Sequence, residues 1–346
     1  MYLRYAVRRV LNALAIFVIE MFIFSVLFTA TAEKTVRAQI EESLQPEAAR
    51  LRNASAEQVQ RFVAERRAYL YRVSHLDRPM PVRVLWRTAD TVTFQFGNSI
   101  TIKSSQGERN VWRIIMETVP RTALLFTTSI ALQVLLGVWL GLKQAQRAGR
   151  TLDRSASIVT MVVYGLPTWW VAMIFIMLLA YKLPIFPSGG MHVLPPPRGL
   201  SSALDLVWHM ALPVITLVLV NFWGVALLAR NIVLSILQED YISAARARGL
   251  TERTVLFGHA MRTAAPPLTT IALLSLLSSV FGNIIFEGIF SWPGMGNLYW
   301  ISVEQGDTAV TLGLLAVTTA MYIAGLAFLD LIYGLLDPRI KTGASP

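Results

Sequence analysis

Six apolar runs, each about 20 residues or longer, constrain this chain more than any other feature. They lie near 10–32, 117–142, 156–181, 209–230, 267–288 and 309–336. In hydrocarbon every backbone N–H and C=O must find its partner inside the protein, so runs of this length cross a bilayer as helices. The expected fold is all-α: a polytopic membrane bundle of about six transmembrane helices. A small extracytoplasmic region follows the first of them. Composition agrees, because 346 residues that are 54% hydrophobic and 15% charged are too apolar for a soluble domain.

In a soluble protein a net charge of +10 would suggest nucleic acid, but here the placement of the charges decides. One set of short connections carries Arg4, Arg8, Arg9, Lys143, Arg147, Arg150, Arg154, Arg230, Arg246, Arg248, Arg253, Arg262, Arg339 and Lys341. The other set carries only Lys182 and Arg198. By the positive-inside rule both termini and the polar island 231–267 are expected on the cytoplasmic side. No nucleic-acid partner is expected; the lipid bilayer is. The absence of cysteine excludes disulfides and thiolate metal sites, and leaves the compartment open.

Read serially, 1–32 is a first transmembrane helix, 33–110 an extracytoplasmic region and 111–346 the transmembrane domain proper. Arg8, Arg9, an apolar run and Ala30-Thr31-Ala32 also fit a cleaved signal peptide. The run exceeds the usual apolar core of roughly 7–15 residues, so a retained helix is expected. Ala38 to Ala68 looks helical, whereas Val82 to Phe96 alternates enough to allow a short strand. Asn53-Ala54-Ser55 is a glycosylation sequon by pattern, which chance explains. Gly165, Pro167 and Pro213 predict bends in the third and fourth helices. Trp208, Trp292, Trp300, Tyr181 and Tyr299 are expected in an interfacial belt at the outer ends. Glu20, Glu287 and Asp330 fall inside or at the ends of apolar runs, where an unpaired charge is costly. They are candidate intramembrane polar sites; Glu20 is expected to face protein or water and not lipid, and Asp330 to form a structural ion pair.

Within the island, Glu239-Asp240 precede a short helix and favour its positive end. Tyr241, Ala244, Ala245 and Arg248 fall at i, i+3, i+4 and i+7 on one face, with Arg246 beside them. Gly249 supplies the left-handed residue that stops the helix. Thr251 then caps a second helix, which Pro266 and Pro267 are expected to end. Alanines make the first helix thin, a shape that another protein's surface can approach closely. A plain membrane-surface hairpin has the same shape.

Catalytic patterns are missing: there is no GxxxxGK[ST] phosphate loop, no HExxH and no GxSxG. His75, His192, His209 and His259 are scattered, so neither a metal site nor a catalytic residue is expected. A membrane bundle without an engine, joined to a docking loop, asks for an ATPase partner.

Asp240-Tyr241-Ile242, Ala244 to Leu250 and His259-Ala260-Met261-Arg262, closed by Pro267, resemble the EAA loop of ABC importer permeases. The variant is similar to the oligopeptide, dipeptide and nickel branch. Leu76 to Val82, His209 to Pro213, Phe290 to Gly296 and Leu336 to Arg339 also resemble segments of that branch. Ser243 and Arg262 depart from the general pattern, which has glutamate and proline there. The resemblance implies a permease of the bacterial or archaeal cytoplasmic membrane that pairs with a second permease, two ATPase subunits and an extracytoplasmic solute-binding protein. ATP and magnesium would be bound by the ATPases, with no cofactor in this chain. Residues Glu239 to Gly249 would couple to one ATPase. Nickel or oligosaccharide import is an alternative to peptides; a membrane receptor sensing through 33–110 is another, although the tail after Asp337 is too short for a signalling domain.

Overall fold

Helices carry nearly the whole chain. A computed structural model describes residues 2–49, 55–74, 76–279 and 282–336. In chain order the helices are α1 (Tyr2–Ala49), α2 (Ala56–Val73), α3 (Met80–Val92), α4 (Val111–Gln146), α5 (Thr151–Tyr164), α6 (Thr168–Phe175) and α7 (Leu200–Leu237). There follow α8 (Asp240–Ala247), α9 (Glu252–Thr254), α10 (Met261–Ser278), α11 (Ile284–Ile289), α12 (Met295–Glu304) and α13 (Thr308–Leu336). Wide π-helical turns over Ile176–Lys182 and Val255–Ala260 prolong α6 and lead into α10. The only β pairing among the described residues is an isolated bridge between Asn98 and Asn110.

Five helical stretches are long and apolar enough to cross a membrane: Ala6–Thr31, Val111–Gln146, Leu200–Leu237, Glu252–Ser278 and Thr308–Leu329. A sixth forms if α5 and α6 count together, bent by 93° at the predicted Gly165–Pro167 break. α7 runs through Pro213 without a break in the helix. Pro266 and Pro267 do not end the island's second helix either, because both lie inside α10, which joins the π turn directly. Membrane helices tolerate proline where packing and side-chain donors serve the freed carbonyls. The fifth span stops at Ser278, ten residues short of the expected end, and Asn283 then caps α11 by accepting the N–H of Phe286 at 2.9 Å.

The chain forms two compact units, one from Met1–Glu117 with Tyr299–Pro346, the other from Thr118–Leu298. In the first, Phe17 and Met21 of α1 bury against Ala316 of α13, with Phe94 and Phe96 packed alongside. Ile40 and Leu44 continue the same helix into a second cluster with Leu76, Val63 and Leu70. Ser55 and Gln58 close a reciprocal capping box at the start of α2. The short strand expected over Val82 to Phe96 is absent; α3 is helical, with Val84, Thr88 and Thr91 buried at i, i+4 and i+7. Pro79 and Pro81 pre-set its first turn, and one buried face outweighs its β-branched content. Asp307 is fully buried before α13. Its Oδ2 accepts from the Ser99 hydroxyl at 2.6 Å and the Ile100 N–H at 2.8 Å, while Oδ1 caps the Val310 N–H at 3.3 Å.

In the second unit Gly137 and Gly141 bring α4 against the backbone of α7, where a side chain at either position would collide with Val225, Ala226 or Ala229. One apolar cluster joins α6, α7 and α11 around Phe286, Phe290 and Trp292. Another joins the ends of α4 and α7 to α8 and α10.

Candidate functional site

The island folds as a corner whose inner side is core and whose outer side is open. Ile242 and Ala245 are fully buried among Val233, Ile236, Val255 and Leu256. Tyr241, Ala244, Arg246, Arg248 and Gly249 are exposed, as are Glu239 and Asp240. Ala245 therefore leaves the face on which its spacing put it, because Ile242 and Ala245, three residues apart, together take the protein side. The open stripe runs through Tyr241, Ala244 and Arg248. Tyr241 meets the Thr263 hydroxyl at 2.9 Å.

Gly249 adopts φ +79°, the left-handed value expected of it. The N–H of Leu250 bonds to the carbonyl of Ala245 at 3.4 Å and that of Gly249 to Arg246 at 2.9 Å, a Schellman closure. Leu250 then packs against the cluster that holds Ala245, the apolar contact such a closure favours. Thr251 caps the next turn through the Thr254 N–H at 3.3 Å, as its position predicts. Across the corner the Arg246 guanidinium grips Glu252 with two bonds, 2.9 and 3.2 Å, and also reaches the Leu237 carbonyl at 3.4 Å.

Glu287 lies in the short helix α11, outside the five helical stretches that are long and apolar enough to cross a membrane. It is completely buried and has no cation beside it among the described ion pairs. Oε1 accepts the Thr122 hydroxyl at 3.0 Å and Oε2 the Asn297 N–H at 3.1 Å. Thr122 in turn accepts the N–H of Met295 at 2.7 Å. Gly294 walls this cage, since a Cβ there would collide with the Glu287 carboxylate and the Thr122 hydroxyl. Burial pushes the Glu287 carboxyl up to about 7, against the pull of the Asn297, Thr122 and Gly296 donors. Trp292 belongs to this turn and not to the outer belt: it is fully buried and donates its ring N–H to the Arg121 carbonyl at 3.1 Å. Trp208, Trp300 and Tyr181 are exposed, as a belt requires.

Two histidines that look scattered in sequence share one partner. The Nδ1 of His192 lies 2.9 Å and that of His209 3.2 Å from the Asp205 carboxylate. His75 and Asn53 lie outside the described residues, as does the side chain of Asp330. Asp153 is buried and paired with Arg230, one of the basic residues counted in the short connections. Glu20 is half-buried beside Phe17 and Met21, on the side of α1 that packs on α13. Among the described residues no group of three or more potential ligands is placed to hold a metal ion. Sequence reasoning missed Asp307, Asp205 and the Asp153–Arg230 pair; only Asp307, an Asp before an apolar run, carried a local signal.

A family model described as binding-protein-dependent transport system inner membrane component matches residues 133–342. The oligopeptide transport system permease protein AppB of Bacillus subtilis is 31% identical over 266 residues, covering 77% of this chain and 82% of AppB. The dipeptide transport system permease protein DppB of Escherichia coli K12 is 29% identical over 295 residues, covering 80% of this chain and 86% of DppB. Among solved structures, the inward-facing MetNI methionine ABC transporter aligns with a TM-score of 0.48 and 18% identity, covering 63% of this chain and 94% of that one. Matched over residues 133–342, which include the corner at Gly249 and Glu287 itself, the chain belongs to the family of binding-protein-dependent transport system inner membrane components.

Proposed function

We propose that this chain is the permease subunit of an ATP-driven ABC importer of oligopeptides or dipeptides. It forms half of the translocation path with a second, homologous permease, and receives solute from an extracytoplasmic binding protein. Two ATPase subunits bind ATP and magnesium and supply the energy, and one of them docks on the corner from Glu239 to Gly249 on the cytoplasmic side. Both termini lie on that side too, consistent with the basic residues gathered there. Membership of the family and relatives named for oligopeptides and dipeptides support peptides over nickel or oligosaccharides.

One observation carries the coupling assignment. The thin stripe Tyr241, Ala244, Arg248 stands open on a corner whose opposite side, Ile242 and Ala245, is locked into the core. A push on that stripe passes into α7 and α10, which frame the same cluster.

The test is Gly249→Val in the chain reconstituted with its partners. Nothing lies within 4 Å of an added Cβ, so the cost is purely conformational. A left-handed L-residue costs roughly 1–2 kcal/mol, more if β-branched. The expected result is normal insertion with reduced copurification of the ATPase and loss of uptake. Gly249→Asn, which tolerates this conformation, should retain both. Full ATPase binding and uptake in the valine variant would remove the corner from the coupling path.

A further inference from the structure

Unit Met1–Glu117 with Tyr299–Pro346 holds a cavity of about 490 Å³ to which no role is assigned above. Its walls come from α1 (Val36), the end of α2 (Ser74), α3 (Arg87), the following loop (Phe96, Asn98) and the start of α13 (Leu312). Its size falls within the roughly 300–1,000 Å³ of small-molecule sites. The lining mixes apolar side chains with a few polar groups, as such sites do.

Arg87 is the under-served group. Its Nη1 is shut off from water and has no hydrogen-bond partner among the described residues, while the side chain lines the cavity. Glu33, the acid whose charge acts most on it, also faces a second arginine: its Oε1 lies 2.8 Å from Nε of Arg83. Two arginines thus share one buried carboxylate, and Asp90, one turn along α3, is exposed. Burial lowers the Arg87 pKa and outweighs the opposing attraction of Glu33, with Arg83 adding to the lowering and Asp90 opposing it. Arg87 is half-buried and shares its one buried counter-ion, and an anion in the adjoining cavity would complete its pairing.

The geometry points to a binding site for a small organic carboxylate in this cavity, its carboxylate paired with the Arg87 guanidinium and its apolar part against Val36, Phe96 and Leu312. The inference goes beyond the proposed function and needs neither an ATPase nor a binding protein, so either can fail alone.

The experiment uses the full chain in lipid nanodiscs, with alanyl-alanine and its C-terminal amide as probes, read by calorimetry and by the thermal midpoint. The dipeptide should bind and raise the midpoint; the amide, which lacks the carboxylate, should do neither. Arg87→Gln should weaken dipeptide binding by roughly tenfold or more, the scale of a lost charge-assisted hydrogen bond. Arg87→Lys, which keeps the charge without the fork, should recover part of it. Because Arg87 variants also alter packing on Glu33 and Arg83, Ala309→Phe fills the cavity from α13 and should abolish binding with Arg87 intact. Equal binding of acid and amide, undiminished binding in Arg87→Gln or Ala309→Phe, or no binding of the dipeptide to the wild-type chain overturns the site.

Discussion

The corner at Gly249 and the turn at Gly294 belong to the same unit and each holds a carboxylate, yet the two carboxylates are served in opposite ways. At the corner Glu252 faces solvent and is gripped by an arginine that is itself 40% exposed. At the turn Glu287 is fully buried and is served by a hydroxyl and backbone N–H groups without a cation. An exposed ion pair is cheap to make and cheap to break, whereas a buried carboxyl tied to neutral donors is specific and costly to disturb. A surface that must meet a partner tolerates the first arrangement. A turn that must keep its shape between two spans uses the second.

The largest effect should come from emptying the cage. Glu287→Ala strips Thr122 and Asn297 of their acceptor and leaves a cavity beside Thr122 and Gly294 in a fully buried place. Two orphaned donors and a hole together cost about 3–5 kcal/mol. The chain in detergent or nanodiscs should lose many degrees of thermal midpoint. A loss no larger than that of an exposed control substitution would show that the cage does not hold the turn.

Next in size is a pH effect at the same residue. The folded carboxyl titrates at about 7 and the ordinary value is 4.5, so between those values the folded chain holds more protons than the unfolded one. Stability therefore falls as pH rises through that window and is flat above it. A raised acid behaves in this sense opposite to a salt-bridged one. The full span is about 3 kcal/mol, since each pKa unit corresponds to ~1.4 kcal/mol. Glu287→Gln mimics the protonated form, with its amide NH2 able to donate to the Thr122 hydroxyl oxygen. It should match wild type near pH 5, exceed it near pH 8 and lose the slope. A wild-type slope that persists in the glutamine variant would place the titrating group elsewhere.

The two turns also differ in how far the sequence disclosed them. Gly249 was legible because a left-handed helix stop leaves a local signature: a short helix, a glycine and then a capping threonine. The spans were legible because bilayer thickness sets their length. Which face Ala245 took was not legible, because alanine suits either side and the choice was made by Leu250 and Ile242 packing from outside the pattern. The Glu287 cage was illegible for a stronger reason: Thr122 lies 165 residues away, and the acceptor for Trp292 lies 171 away. The alternation over 82–96 misled because β-branched residues also line one face of α3, where burial at helical spacing prevails. The cavity at Arg87 assembles from four helices and a loop, so no single stretch announces it.

The smallest effect sharpens the comparison from its other end. Arg246→Ala removes the fork to Glu252, a pair whose side chains are 40% and 73% exposed. Exposed pairs contribute roughly 0.2–1 kcal/mol, and salt screens them. The corner should stand without the pair, because its shape comes from the Schellman closure at Gly249 and from Ile242 and Ala245 in the core. The thermal midpoint should move by little at low salt and by nothing measurable at about 1 M, where the screening length is ~3 Å. Uptake in the reconstituted complex reports separately, since an exposed arginine on a docking face contributes to association with a partner even where it adds nothing to folding. If Arg246→Ala instead destabilises the isolated chain as much as Glu287→Ala, and does so independently of salt, the two carboxylates are not served in different ways. The contrast between an open corner and a sealed turn would then fail.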